Sequence, residues 1–306
     1  MTTEQDWIRS LRALADHPGA RGLADDAAVL DFGGKQMVLT HDMLVEGVHY
    51  LADDPPDSVA AKLLAVNLSD LAAKGARAVG ALMGYALTGD SAWDAAFLRG
   101  LKKGLAQYDL ALLGGDTVQA SQRIIGLTLI GEASAAVPSR SGARAGDALF
   151  VTGTIGDAGL GLELARSGLE TPAMLVRAYR KPEPQMAAGQ ALAPFVTAMM
   201  DVSDGLLIDL SRMGEASGVG FSIDLDSIPL SADSIALAGQ GRDARIAAVT
   251  AGDDYQLLFT SALPLPRLPC AVTRVGQAIA GGGLHLHDHG GPVDLPLRLG
   301  WLHATN

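Results

Sequence analysis

Short runs of Val, Ile and Leu alternate along this chain with longer stretches in which apolar residues recur every three or four positions. The first pattern is typical of buried strands, and the second of helices that bury one face. In the first half of the chain these patterns predict helices at Ser58–Lys74 and Ala92–Tyr108, and strands at Gln36–Leu39, Ala78–Leu87, Leu110–Leu113 and Arg123–Gly131.

The alternation stops at residues 133–144 and then starts again. That segment is small, polar and basic and contains Pro138, so it predicts a linker or an exposed loop. A length of 306 residues fits two domains. We therefore expect an α/β (α+β) protein with domains at 1–136 and 137–306. In the second domain we predict strands at Ala148–Thr152, Met199–Val202, Phe221–Leu225 and Tyr255–Thr260, and helices at Gly156–Arg166 and Gly205–Ala216.

Composition narrows the class of protein. The formal net charge of −11 disfavours nucleic-acid binding, which relies on basic surfaces. A single cysteine, Cys270, excludes a disulfide framework and fits a reducing compartment, so we expect a cytoplasmic protein. The first residues include Glu4 and Asp6, where a signal peptide would carry basic and apolar residues. No uncharged apolar run approaches the roughly 18 residues of a membrane span, so we expect no membrane association.

The acidic residues are placed in a way that suggests metal binding. Four of them stand at or just after predicted strand ends, where α/β proteins bind ligands. Carboxylates presented there suit Mg²⁺, which combines few protein oxygens with water and substrate phosphates. Any one of them is also compatible with an ordinary turn or helix cap, so only the set favours a metal site. The set comprises Asp25, Asp26, Asp42, Asp70, Asp116, Asp201 and Asp204.

Asp70 lies in a predicted helix that is apolar on nearly all sides. Asn67, Asp70 and Lys74 share one face of that helix at spacings of three and four residues. If the helix is buried, the carboxylate needs a metal, Lys74 or backbone donors as its partner, because an unpaired buried charge is costly. The alternative is a stripe of polar residues exposed to solvent.

Other motifs are weak. There is no P-loop and no protein-kinase signature. Gly153–Gly159 follows a strand and opens a helix, so its amides would accept an anion, although a tight turn explains the glycines equally well. His285, His287 and His289 would share one face of a strand, but without a neighbouring cysteine a solvated strand is favoured over a metal site.

A series of short motifs occurs along the chain. In chain order they are LADDAAVL, THDMLVEGVHY, AVNLSDLAAKGA, LLGGDT, SRSGARAGD, VTGTIGDAGLG, MDVSDGLLIDL and AGDDYQLLF. Through these motifs the chain resembles, from near residue 20 to the C-terminus, the thiamine-monophosphate kinases, relatives of aminoimidazole ribonucleotide synthetase. The resemblance implies an ATP-binding fold with a mixed-sheet N-terminal domain that forms a homodimer through its sheet, and a C-terminal sheet covered by helices.

The resemblance also implies a reaction and a site. ATP would phosphorylate thiamine monophosphate to thiamine diphosphate by direct in-line transfer, assisted by several Mg²⁺ ions. Asp42, Asp70 and Asp116 would be catalytic. The implied metal ligands are Asp26, Thr40, the peptide at His41, Asp42, Asp70, Asp116, Asp201 and Asp204; the ATP contacts are Gly115, Asp116, Arg140 and Ser203; and the substrate contacts are His49, Asp253 and Trp301.

The chain departs from the family pattern at a few positions. Ala24 replaces a Gly, His41 a Thr, and Asp253 and Gln256 each a Glu. Asp253 is one methylene shorter than Glu, so its carboxylate reaches less far from the backbone. Trp301 suits stacking on a cationic ring, although a C-terminal core anchor is the alternative. Two other functions stay open: another ATP-dependent synthetase of the superfamily, or a nucleotide-binding dimer without activity.

Overall fold

Two β-sheets, each built from one half of the chain, organise the fold. The computed structural model describes residues 4–133 and 137–302, so the predicted domain boundary at residue 136 lies outside the described residues. In the first half the helices are α1 (Glu4–Arg12), α2 (Pro56–Ala73) and α3 (Ser91–Gln107), and the strands are β1 (Ala28–Phe32), β2 (Lys35–Val45), β3 (Arg77–Leu87), β4 (Ala111–Gln119) and β5 (Ile124–Ala133).

The first sheet has the strand order β1-β2-β5-β3-β4. Its strands pair antiparallel except for β3 and β4, which are parallel. The predicted mixed sheet is therefore confirmed. Two strands are longer than the sequence predicted. Asp42 and Asp116 lie inside β2 and β4 rather than after them, because cross-strand pairing continues to Val45 and Gln119.

The second half forms a seven-stranded sheet covered by helices. Its strands are β6 (Ala148–Thr152), β7 (Ala198–Asp201), β8 (Gly220–Asp224), β9 (Leu257–Ser261), β10 (Val272–Ile279), β11 (Leu284–Asp288) and β12 (Gly291–Val293), in the order β12-β11-β8-β10-β6-β9-β7. Its helices are α4 (Asp157–Arg166), α5 (Ala173–Arg180), α6 (Met186–Leu192), α7 (Leu206–Ser217), α8 (Ala232–Ala238) and α9 (Arg242–Thr250). Only β8 and β11 pair in parallel.

Helix α2 connects the two halves. It packs on β2 and β5 of the first sheet and on α6 and β7 of the second half. Because it is enclosed on all sides, its polar residues Lys62, Asn67 and Asp70 are buried together with its leucines. The alternative of a solvent-exposed polar stripe is therefore wrong. None of the helices in the described part of the chain is long and apolar enough to cross a membrane.

The contact between α2 and α6 is close enough to require glycine. A Cβ at Gly189 of α6 would lie 2.0 Å from the carbonyl oxygen of Ala72 in α2. We expect Gly189→Ala to lower the free energy of unfolding by about 1–3 kcal/mol, because the two helices must move apart. Gly241→Ala is the control, since a Cβ there meets no neighbouring atom. Urea unfolding of both variants tests this prediction, and equal stability would contradict it.

Candidate active site

Four acidic side chains from distant parts of the chain gather beside α2. Asp42 lies in β2, Asp70 in α2, Asp201 at the end of β7, and Asp26 in the loop before β1. The charges of Asp42, Asp201 and Asp26 all act on the carboxyl group of Asp70. They come together because α2 packs between β2 and β7. We call these four residues the carboxylate cluster.

Side chains of α2 hold two members of the cluster in place. The carboxamide oxygen of Asn67 accepts a hydrogen bond from the backbone N–H of Asp42 at 2.9 Å. The hydroxyl of Ser69 donates to the carboxylate of Asp201 at 2.5 Å. Both α2 residues are fully buried, so neither exchanges its partner readily for water. Through these two hydrogen bonds, α2 fixes β2 of the first sheet and β7 of the second sheet relative to each other.

Lys74 neutralises one end of the cluster. Its ammonium, which is fully buried, lies 2.5 Å from a carboxylate oxygen of Asp25 and 2.6 Å from one of Asp26. Burial alone raises the pKa of Asp25, but Lys74 and Arg21, whose guanidinium lies 2.6 Å from the same carboxylate, together lower that pKa to about 2. For Asp70 the sequence left a metal, Lys74 or backbone donors open as partners. The structure shows a different one, because the hydroxyl of Thr40 donates to the Asp70 carboxylate.

Arg140 adds a second cation at the same end. Its guanidinium pairs with the other carboxylate oxygen of Asp26, and its backbone N–H donates to Asp25 at 3.2 Å. Burial raises the pKa of Asp26, but the charges of Lys74 and Arg140 together lower it. Asp26 is therefore ionised and paired, in contrast to the rest of the cluster.

The other three members, Asp42, Asp70 and Asp201, form no ion pair with a cation of the described residues. Burial, followed by the charges of Asp26 and Asp204, raises the pKa of Asp42 to about 6. Burial and the charge of Asp26 raise that of Asp201 to about 8. The pKa of Asp70 rises well above its usual value, through burial and then the charge of Asp42. With a pKa of about 8, Asp201 holds a proton at neutral pH unless a cation binds, whereas Asp42, with a pKa of about 6, loses its proton below neutral pH.

The turn that carries Ser203 and Asp204 is fixed by two residues that the sequence analysis missed. One carboxylate oxygen of Asp209 accepts the backbone N–H groups of Ser203, Asp204 and Gly205 at 3.0, 3.0 and 3.2 Å. Arg212 donates to the carboxylates of Asp204 at 2.5 Å and Asp209 at 2.8 Å. The sequence contained one clue, because Asp209 stands in the first turn of α7 where a carboxylate can accept free amides.

Two proposed substrate contacts lie together next to this turn. The rings of His49 and Trp301 are 6.2 Å apart between centroids, and the backbone N–H of Trp301 donates to the carbonyl oxygen of Asp204 at 2.8 Å. The Nδ1 atom of His49 accepts the backbone N–H of Val45 at 3.0 Å. The proton of the neutral ring is therefore on Nε2.

Asp253, the third proposed substrate contact, is held by two side chains. Its carboxylate accepts from the ammonium of Lys62 at 2.7 Å and from the hydroxyl of Tyr255 at 3.1 Å. The same ammonium donates to the carbonyl oxygen of His49 at 3.0 Å, so all three substrate candidates belong to one neighbourhood. Sequence reasoning did not identify Lys62.

Asp116 and Gly115 are not brought to the cluster of their own chain. Asp42 pairs with Leu127, Leu127 with Met83, and Met83 with Gly115. These three strand steps correspond to about 14 Å at the usual spacing. Gly115 is required by its own strand, since a Cβ there would lie 1.9 Å from the carbonyl oxygen of Met83.

Three weaker candidates lie elsewhere. The ring of His41 is exposed and bonds to Thr128 at 2.8 Å on the neighbouring strand. The amide of Gly156, considered as an anion donor, already donates to the buried carboxylate of Asp254 at 2.9 Å. His289 contacts Asp226 at 2.9 Å at the surface, next to β11. None of these residues contacts the carboxylate cluster in the hydrogen bonds and ion pairs of the described residues.

The negative charge of the carboxylate cluster suits Mg²⁺, although the side chains are not already arranged as a set of metal ligands. Across residues 4–133 and 137–302, no group of three or more His, Cys, Asp or Glu side chains is arranged to hold a metal ion. Mg²⁺ usually needs only one or two protein carboxylates and takes its other ligands from water and phosphates. The unbalanced charge of Asp42, Asp70 and Asp201 is the feature that a divalent cation would relieve.

The fold and the acidic site define an AIR synthase related protein. Residues 24–133 match the family of the N-terminal domain of such proteins, and residues 144–289 that of the C-terminal domain. More specifically, the chain is 40% identical over 322 residues to the thiamine-monophosphate kinase of Caulobacter vibrioides, covering 99% of this chain and 91% of that protein. The chain belongs to the thiamine-monophosphate kinase family, whose members are phosphotransferases.

Solved structures agree with this assignment. AaThiL complexed with AMPPCP and TMP superposes with a TM-score of 0.89 at 29% identity, covering 99% of this chain and 97% of that one. The thiamine-monophosphate kinase from Stenotrophomonas maltophilia K279a superposes with a TM-score of 0.77 at 35% identity, covering 94% and 96%. The family that the sequence resembled is therefore confirmed.

The raised pKa values predict how stability depends on pH when divalent cations are absent. In the folded protein the pKa values of Asp42 and Asp201 are about 6 and about 8, against 3.8 when unfolded, so folding takes up protons between these values. The stability they contribute is fully present below pH 3.8 and is lost as the pH rises from there to about 6 for Asp42 and to about 8 for Asp201. The loss is at most about 1.4 kcal/mol per pH unit for each proton.

Melting temperatures in EDTA should therefore fall between pH 5.5 and 8.5, and Asp201→Asn should show a smaller fall. A melting temperature that stays level or rises with pH in the wild type would contradict the raised pKa values.

Proposed function

We propose that this chain transfers the γ-phosphoryl group of ATP to thiamine monophosphate and releases ADP and thiamine diphosphate. The observation that carries the proposal is the contact between the two parts of the site. The Trp301 backbone binds the carbonyl oxygen of Asp204 at 2.8 Å, which places the His49–Trp301 pair beside the carboxylate cluster. A phosphate acceptor and a metal-bound nucleotide would thus meet at one place. The names of the relatives and the TMP complex of AaThiL support the same substrates.

In the proposed step an oxygen of the substrate phosphate attacks the γ-phosphorus in line. The new P–O bond forms as the bond from the γ-phosphorus to the β,γ-bridging oxygen breaks, and ADP leaves with that electron pair. Little covalent assistance is needed, so catalysis is mostly positioning and charge neutralisation. Mg²⁺, when bound, would neutralise phosphate charge and remove the repulsion between the two anionic substrates.

The residues that would hold Mg²⁺ are those with unbalanced charge, namely Asp42, Asp70 and Asp201, with Asp204 and the Thr40–His41 segment at the edge. Asp26 is different, because Lys74 and Arg140 already pair with it. It would bind a cation only after exchanging one of these partners. Arg140 and Ser203 would contact ATP. Gly115 and Asp116 would also contact it, but from the β4 strand of a second subunit.

On the acceptor side, His49 and Trp301 have complementary properties. The Nε2–H of His49 can donate to a substrate oxygen, because Nδ1 is engaged by the backbone of Val45. The indole of Trp301 is partly exposed, at 43%, and a cationic thiazolium ring can stack on it. We expect this reaction in the cytoplasm, where ATP is available.

We also propose that the protein acts as a homodimer and that Asp116 serves the site of the partner subunit. Strand β4 is the last strand of its sheet and is exposed along its whole length. Its apolar residues Leu112, Leu113 and Val118 are 47%, 57% and 53% exposed, which is a hazard for an unpaired edge strand. A second copy covering this edge would remove the hazard.

The position that a second copy could occupy is also defined on β2. Strand β1 pairs with β2 only over Lys35–Leu39, so no strand of the described chain pairs with β2 from Thr40 to Val45 on that side. The N–H groups of Asp42 and Val45 donate to the side chains of Asn67 and His49 instead. Asp42 lies in the middle of that stretch. A β4 strand from a second subunit placed along it would bring a second Asp116 within reach of the cluster, which its own Asp116 is too distant to join.

The first test is the reaction itself. Purified protein with ATP, Mg²⁺ and thiamine monophosphate should form thiamine diphosphate and ADP, measured by chromatography. Asp42→Asn should lower kcat by at least about 100-fold, because charge neutralisation at the transferred phosphoryl group is lost. Asp31→Asn, an exposed carboxylate in the same domain, is the control. ATP binding without any product in the wild type would instead favour a binding protein without activity.

The shared site predicts complementation between two inactive variants. Asp42→Asn and Asp116→Asn should each be inactive as homodimers. After unfolding and refolding together, half of the dimers are mixed and each mixed dimer has one intact site. Activity should then return to about a quarter of the wild-type value. If Asp116 served its own chain, the mixture would remain inactive.

A further inference from the structure

Lys62 is a buried cation at the centre of the proposed substrate pocket. It lies in α2, on the same helix as Asn67 and Asp70, and its side chain is only 2% exposed. Its ammonium contacts three separate parts of the chain: the carboxylate of Asp253 at 2.7 Å, the carbonyl oxygen of His49 at 3.0 Å, and the ring of Tyr179 at 4.2 Å from the centroid. One ammonium thus links a loop of the first half to a loop and a helix of the second.

The Tyr179 contact extends this connection to the rest of the His49 loop. The Tyr179 hydroxyl donates to the carboxylate of Asp54 at 2.8 Å and accepts the backbone N–H of Leu51 at 3.2 Å. The loop that presents His49 is therefore held at its start by Val45 and further along by Tyr179. Lys62 lies between these points, and no other cation contacts Asp253 among the ion pairs of the described residues.

The backbone around Asp253 is also constrained. Asp253 and Tyr255 both have positive φ values, +66° and +49°, which non-glycine residues rarely adopt. The N–H of Asp253 donates to the carbonyl oxygen of Ser203 at 2.7 Å, so this segment lies directly on the proposed nucleotide-binding turn. A strained segment persists only where its surroundings hold it, and Lys62 supplies the charged part of that support.

Stability alone does not explain a lysine at this place. A buried ion pair costs desolvation energy and is often no more stable than a pair of apolar residues. Asp253 is 31% exposed, so it stays hydrated when its partner is removed, and the loss of Lys62 does not leave a fully buried charge. The pair is therefore better explained by the geometry that it imposes on the pocket.

We propose that Lys62 is a positioning residue for the phosphate-acceptor substrate. It fixes Asp253 and the His49 loop in the arrangement that receives thiamine monophosphate, and it balances the charge of Asp253. The carboxylate then serves as an oriented hydrogen-bond acceptor for the substrate rather than as its bare counter-ion. This inference rests on the proposed function, since it assigns a role within the same substrate pocket.

The test is a set of steady-state measurements in which each substrate is varied in turn. Lys62→Met should raise the KM for thiamine monophosphate by about tenfold or more, the size expected when a charge-assisted hydrogen bond is lost. The KM for ATP should change less than about twofold, because the ammonium of Lys62 contacts His49, Asp253 and Tyr179 in the described chain and not Arg140 or Ser203. Lys62→Gln keeps a donor for the His49 carbonyl oxygen and serves if Lys62→Met does not fold. It should likewise raise the KM for thiamine monophosphate and leave the KM for ATP nearly unchanged.

Coupling between Lys62 and Asp253 separates positioning from a general loss of structure. The double variant Lys62→Met/Asp253→Asn should have a KM for thiamine monophosphate no higher than that of whichever single variant has the higher KM. The reason is that both substitutions break the same pair. Lys181→Met is the matched control, since it removes a lysine paired with Asp57 at 2.8 Å at the surface. It should leave both KM values unchanged.

The outcomes distinguish this role from the function on which it rests. A wild type that binds ATP but never phosphorylates thiamine monophosphate overturns the proposed function and the role of Lys62 with it. An active wild type whose Lys62 variants keep their KM for thiamine monophosphate, or lose affinity for both substrates equally, overturns the role of Lys62 alone.

Discussion

The burial of several carboxylates against one another is the constraint on which the rest of this structure depends. Asp42, Asp70 and Asp201 come from a strand, a helix and a second sheet, and burial and mutual repulsion raise the pKa of each. Within the carboxylate cluster, Lys74 and Arg140 form ion pairs with Asp26 and with none of the other three members in the described chain. The remaining charge requires either protons or cations. In the function that we propose, a phosphotransferase without a P-loop needs positive charge beside the transferred phosphoryl group, and cations bound by these carboxylates would supply it.

Helix α2 is the element that makes this crowding possible. Its apolar residues pack against both sheets, and its polar residues each meet a specific partner in the interior: Lys62 meets Asp253, Asn67 meets the Asp42 backbone, Ser69 meets Asp201, Asp70 meets Thr40, and Lys74 meets Asp25 and Asp26. The pattern of the sequence predicted this helix and its burial, because a helix that is apolar on all sides has no solvent face. It did not predict the partners, which lie up to 191 positions away along the chain.

Other parts of the fold were predicted less well for identifiable reasons. The strand through Asp42 was ended too early because Thr40, His41 and Asp42 form a polar run, and only pairing with β5 shows that the strand continues. Helices α5 and α6 were missed because they have eight and seven residues and too few turns for a clear period. Asp209 and Arg212 fix the Ser203–Asp204 turn through contacts that appear only once the helix is formed.

The central claim is that the cluster holds protons until a cation replaces them, and proton release on metal binding tests it most directly. Mg²⁺ with AMPPCP can be titrated into the protein at pH 7 by calorimetry, in buffers that differ in ionisation enthalpy. Because the pKa of Asp201 is about 8, the wild type should release about one proton more than Asp201→Asn. Equal proton release by the two proteins would contradict the claim and would mean that the carboxylates are already ionised without metal.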